Sequence, residues 1–209
     1  MIPCSTAILS YDRIRFPFAR LAEMHLGDLT TLHDATIPRL QVGAERTPFH
    51  AQLYAIGDPF QAIYRRFVAS LLGDEAPAYL YQAIPSFRVH LPDNVATGNF
   101  HKDSDFGHPL EEVNFLVPLT PMAGSNSVWI ESEPGARDMM PVTLSVGQYI
   151  RFHGAALLHG SHPNQTGRTR VSFDFRILPK AAYRDTGKRT VNKGVALKLG
   201  EYYADGGAL

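Results

Sequence analysis

Apolar residues recur along the chain with two different periods. Downstream of Asp58, Phe60, Ile63, Tyr64, Phe67, Val68, Leu71 and Leu72 fall on one stripe of a 3.6-residue repeat, which predicts an amphipathic helix ending at Gly73. Thr47-Pro48 and Asp58-Pro59 read as helix starts, because a cap residue followed by proline at the first helical position sacrifices no hydrogen bond. A weaker stripe of Leu21, Met24, Leu29 and Leu32 predicts an earlier helix from Phe18 to about His33. Residues 1–76 are therefore expected to form a mainly helical flank.

From about Ala78 the period shortens. Tyr79 to Leu91, Val113 to Leu119, Ser127 to Glu131, Gly147 to Phe152 and Arg170 to Leu178 are short runs rich in Val, Ile, Phe and Tyr, separated by Gly, Pro, Asn and Asp. Such spacing predicts a sandwich or open barrel over 77–179 and excludes alternating βαβ units. In the last run Val171, Phe173, Phe175 and Ile177 share one strand face, and Arg170, Ser172, Asp174 and Arg176 share the other. That polar face meets either water or the lining of a cavity. The stretch 180–209, with Tyr202-Tyr203, is expected to add edge strands or to cover one end of the β core. Nothing in these patterns calls for a second domain.

Charge and composition narrow the function. The 209 residues carry 20 Lys+Arg and 20 Asp+Glu, a balance that disfavours general nucleic-acid or acidic-membrane binding. Cys4 is the single cysteine, which excludes a thiolate zinc cage and an intrachain disulfide. The N-terminal segment lacks a basic region, and its apolar run Ala7–Leu9 is too short for export, so a cytoplasmic location is expected. No apolar stretch approaches the roughly 20 residues of a membrane span.

The candidate chemistry begins at His101-Lys102-Asp103. In extended backbone, residues two apart point the same way, so this imidazole and carboxylate can meet on one metal ion. A second imidazole, from His153, His159 or His162, would complete a two-His-one-carboxylate face that leaves positions open on Fe(II).

The segment from His159 to Ser172, with Asn164, Thr166 and Arg170 at fixed offsets, resembles the Fe(II)/2-oxoglutarate-dependent oxygenases of the phytanoyl-CoA-hydroxylase-like superfamily. His101, Asp103 and His159, with 57 residues between the two histidines, stand where that pattern has its ligands. Asn114 to Thr120 and Ser125 to Gly135 look closer still to the streptomycin- and hygromycin B-biosynthesis-type oxygenases. The resemblance covers about residues 80 to 178. It implies a double-stranded β-helix (jelly-roll, cupin-like) core, Fe(II) on His101, Asp103 and His159, and O₂ and 2-oxoglutarate as cosubstrates. It also implies a small-molecule substrate of sugar or aminoglycoside type, hydroxylated or oxidatively cyclised. The distal carboxylate of 2-oxoglutarate calls for a planar fork of donors, for which Arg170 is the candidate, with Ser172 beside it and Arg168 as rival. Asn114 and Arg88 are further candidates for the cosubstrate. Trp129, Glu131 and Asp105 are candidates for the substrate, the acids with Glu111, Glu112 and Glu133 forming an acidic rim that would attract a cation. A cupin-like isomerase or hydrolase would share the fold but would have no use for Arg170. The intact two-His-one-Asp set speaks against a non-catalytic binding module of that fold, because metal ligands are costly to keep buried without metal.

Overall fold

The computed structural model describes residues 2–35, 47–96, 99–190 and 194–209. Among them three helices precede most of the sheet: α1 (Phe18–Leu26), α2 (Pro48–Ala55) and α3 (Asp58–Leu72). The strands are β1 (Ala7–Ser10), β2 (Tyr79–Gln82), β3 (Ser86–His90), β4 (Val113–Pro118), β5 (Trp129–Ile130), β6 (Met140–Pro141), β7 (Gln148–Phe152), β8 (His159–Gly160), β9 (Arg170–Pro179) and β10 (Tyr203–Asp205).

The expected helix from Phe18 to His33 is broken. Gly27, at φ +81°, ends α1, and Asp28 then caps a separate 3₁₀ turn, Leu29–Asp34, by accepting from the Thr30 N–H at 2.8 Å. The helix buries Phe18, Ala19 and Ala22, whereas Met24 of the expected stripe is exposed. In α3 the cap falls one residue earlier than expected, on Gly57 at φ +64°, so Asp58 lies in the first turn, where a carboxylate suits the helix dipole. Its predicted stripe is buried through Phe60, Tyr64, Phe67, Val68 and Leu72.

The strands form two sheets of a jelly roll. The larger runs β1-β7-β4-β9-β2-β10, with β3 also paired to β9, and the smaller runs β6-β5-β8. All these pairings are antiparallel. Both ends of the chain thus add strands to the larger sheet, β1 from the expected helical flank and β10 from the tail.

Strand β9 is central and buried on both faces. Phe173 and Phe175 pack edge-on against Phe18, Phe60 and Tyr64 of the helices, inside a core that also takes Val89, Phe115, Val171 and Ile177. The opposite face looks toward the smaller sheet, where Leu116, Ile130, Ile150, Phe152 and Leu157 form a second apolar cluster. Arg170, Ser172, Asp174 and Arg176 lie on that inner face and are all buried, so the polar face does not meet water.

Candidate metal centre

His101 and His159 face each other across an isolated antiparallel bridge, each N–H donating to the other's carbonyl at 3.0 Å. Directly paired residues present their side chains on the same side, and the two imidazole centroids lie 4.7 Å apart. Asp103 opens the 3₁₀ turn Asp103–Phe106, and its N–H donates to the Gly154 carbonyl at 2.9 Å. His101, Asp103 and His159 thereby bring one ligand atom each within 4.8 Å of one another.

The orientation of these groups is fixed from behind. Nδ1–H of His101 donates to the Asn99 carbonyl at 2.9 Å, and Nδ1–H of His159 donates to the Leu157 carbonyl at 3.0 Å. Both imidazoles therefore turn Nε2 inward, the nitrogen through which each would bind a metal. Asp103 Oδ1 lies 3.5 Å from His101 Nε2 and 3.6 Å from His159 Nε2, too far for good hydrogen bonds but suited to converging on one ion. The other oxygen, Oδ2, accepts from Asn114 Nδ2 at 2.6 Å and from Arg176 Nε at 2.8 Å. Burial alone would raise the Asp103 pKa, but the Arg176 guanidinium and the two imidazoles hold it well below the ordinary carboxylate range. Burial depresses the pKa of His159.

On the inner face of β9, six residues before Arg176, Arg170 is buried and donates from Nε to the Asn126 carbonyl at 2.9 Å and from Nη1 to Ser172 Oγ at 2.8 Å. Among the described residues no carboxylate lies within 4.0 Å of it. Burial, then the charge of Arg88, lowers its pKa to about 9, which leaves it cationic at neutral pH. Arg88 is paired, donating to Asp174 Oδ1 at 2.7 Å.

The other predicted residues separate into those near this face and those away from it. Asn114 is aimed at Asp103, and a Cβ on Gly154 would come within 2.4 Å of its carboxamide, so only glycine admits it there. Asp105 is exposed on the turn that Asp103 begins, and its carboxylate accepts from the Lys102 N–H. Trp129 pairs with Gly160 and Ile130 with His159, so alternation puts Trp129 and Glu131 on the side of the smaller sheet opposite to the His159 side chain. Glu131 is buried and accepts from the Leu158 and Arg137 N–H groups at 2.7 and 3.1 Å. Glu112 is fully buried and bonded to His108 at 2.8 Å and to Tyr203. Two members of the expected acidic rim are thus internal, and Asp105, Glu111 and Glu133 remain exposed. His153 donates to the Leu110 carbonyl, away from the ligand set, and Arg168 is exposed in its turn. Sequence reasoning gave no role to Arg176, Asp174 or His90. The unbroken polar face of β9 was the available signal for the first two.

Solved structures share this fold. The non-heme alpha ketoglutarate dependent carbocyclase SnoK from nogalamycin biosynthesis superposes with a TM-score of 0.58 at 13% identity, over 95% of this chain and 90% of that one. HygX from Streptomyces hygroscopicus, solved with nickel and 2-oxoglutarate bound, superposes with a TM-score of 0.50 at 15% identity, over 92% of this chain and 91% of that one. The chain therefore has the jelly-roll fold of the non-haem 2-oxoglutarate-dependent enzymes. It belongs to the family of the Streptomycin biosynthesis protein StrG of Streptomyces griseus, to which it is 40% identical over 197 residues, 93% of this chain and 96% of that protein. No protein-family model matches the chain. No helix among the described residues is long and apolar enough to cross a membrane.

Proposed function

We propose that this protein is a non-haem Fe(II)/2-oxoglutarate-dependent oxygenase acting on a sugar-like or aminoglycoside secondary metabolite, by hydroxylation or oxidative ring closure. The observation that carries this reading is Arg170, a buried cation without a counter-ion among the described residues, on the same inner face of β9 from which Arg176 reaches Asp103 of a two-His-one-Asp ligand set. A buried charge without a partner is costly, and a dicarboxylate cosubstrate supplies the missing one.

His101, Asp103 and His159 would hold the iron, and Arg170 with Ser172 would hold the distal carboxylate of 2-oxoglutarate. A divalent metal taken up with a dicarboxylate dianion adds no net charge to the buried site. Bound Fe(II) supplies the oxidising chemistry with O₂, and 2-oxoglutarate is decarboxylated to succinate. The chain's own contribution is orientation and exclusion of water. The Phe152 ring packs on His159 and the Phe106 ring on His101, with centroids 5.2 and 5.0 Å apart.

For the substrate, the relation to StrG and the neighbour from nogalamycin biosynthesis favour a secondary metabolite. Asp105 is the acid best placed to accept from a cationic group, since it is exposed on the turn that begins at Asp103. Trp129 and Glu131 drop out as substrate contacts, because they lie on the far side of the smaller sheet. The test is to supply Fe(II)-loaded protein with O₂, 2-oxoglutarate and a panel of aminoglycosides and their precursors, and to measure succinate. Succinate formed in step with an oxidised product supports the reading. Conversion of a sugar with no 2-oxoglutarate consumed assigns a cupin-like isomerase or hydrolase instead.

A further inference from the structure

Arg176 is on β9 six residues beyond Arg170, and two of its guanidinium nitrogens are engaged by protein groups. Nε donates to Asp103 Oδ2 at 2.8 Å, and Nη1 donates to Asp174 Oδ2 at 3.0 Å and to Gln82 Oε1 at 3.3 Å. Gln82 is itself held, because the Tyr202 hydroxyl donates to the same Oε1 at 2.9 Å. Tyr202 immediately precedes β10, so the C-terminal segment braces the guanidinium through one intervening side chain.

The consequence falls on the two oxygens of Asp103. A carboxylate free to turn about its last torsion offers a metal either oxygen, or both. Here Oδ2 takes both Arg176 and Asn114, while Oδ1 alone faces the two imidazole Nε2 atoms at 3.5 and 3.6 Å. We infer that Arg176 is a positioning residue for the metal centre, pinning Asp103 so that it presents a single oxygen, and that the segment carrying Tyr202 is part of that support. The inference rests on the metal-binding part of the proposed function.

Two effects of removing Arg176 have opposite signs. As a nearby cation it repels a metal ion, so neutralising it should tighten binding. As the group that fixes the Asp103 oxygen, it favours binding, and its loss should weaken it. Outer-shell partners of this kind typically contribute about 10- to 100-fold in metal affinity.

The experiment is a Co(II) titration of the full chain, followed by visible absorption, for wild type, Arg176→Gln, Arg176→Lys and Tyr202→Phe, with circular dichroism to check the fold. The expected result is a Kd raised about 10- to 100-fold in Arg176→Gln, with an altered spectrum of the bound ion and partial recovery of both in Arg176→Lys. Binding by folded Arg176→Gln that is as tight as wild type, or tighter, overturns the inference. So does weaker binding with an unchanged spectrum, because that marks a purely stabilising role. If neither Arg176 variant folds, Tyr202→Phe decides: a Kd raised about threefold with a shifted spectrum supports the inference, and wild-type behaviour overturns it. Failure of wild type to bind Co(II) would instead remove the metal reading itself.

Discussion

The guanidinium of Arg170 and the hydroxyl of Ser172, two residues apart on β9, are joined by a 2.8 Å hydrogen bond on the buried inner face of the sheet. The hydroxyl thus orients one arm of the fork, and together they present preset donors to a carboxylate. Lysine keeps the charge but loses the planar fork. Arg170→Lys is expected to weaken 2-oxoglutarate binding about 10- to 100-fold, the worth of a charge-assisted hydrogen bond, while leaving metal affinity near wild type. Calorimetric titration of the metal-loaded variant checks this.

Only one of the downstream histidines is placed to bind metal with His101 and Asp103. His159→Ala is expected to abolish stoichiometric Fe(II) retention, and His153→Ala to preserve it, because His153 is bonded to the Leu110 carbonyl instead. Iron content after anaerobic desalting distinguishes the two. Iron lost from His153→Ala and kept in His159→Ala would reverse the ligand assignment.

His90, opposite Arg170 on β3, is buried, with Nε2–H donating to the Asn94 carbonyl at 2.7 Å. Burial and the Arg170 charge push its pKa down from 6.5 to about 4. A base whose folded pKa is depressed favours unfolding when it is protonated, so stability is full above 6.5 and falls as the pH drops toward 4. At pH 4.5 the loss is about 2 to 3 kcal/mol. Metal-free His90→Gln should therefore show a flatter dependence of Tm on pH than metal-free wild type, with His159 contributing equally to both. Parallel curves would contradict this.

Glu131 behaves in the structure as a brace. Its carboxylate ties the Leu158 N–H, next to His159, to the loop at Arg137. Glu131→Ala is expected to cost about 2 kcal/mol by leaving those donors unpaired, a fall in Tm of about 4 to 8 °C, with no change in substrate KM once folded. A raised KM at unchanged Tm would restore Glu131 to the substrate site.

How legible this molecule was depended on how local each feature is. The polar stripe of β9, the H-x-D pair and the aromatic stripe of α3 are set by side-chain period alone, and each forms where the pattern puts it. What the sequence hid was mostly tertiary. Glu112 reads as a surface acid until β10 brings Tyr203 onto it. Trp129 is a substrate candidate in sequence, and only its pairing with Gly160 fixes which way it faces. Arg176 and Asp103 are 73 positions apart in sequence, and only the assembled sheet joins them. The break at Gly27 was a local signal, outweighed by an apolar spacing too weak to carry a helix through it.

The most direct test of the central claim is an anaerobic titration of Fe(II)-loaded protein with 2-oxoglutarate, read by the visible iron-to-ketoacid charge-transfer absorption. The account predicts a saturable band in wild type that is absent in His159→Ala and needs far more 2-oxoglutarate in Arg170→Ala. Wild-type protein that holds iron and shows no band at any 2-oxoglutarate concentration would contradict it.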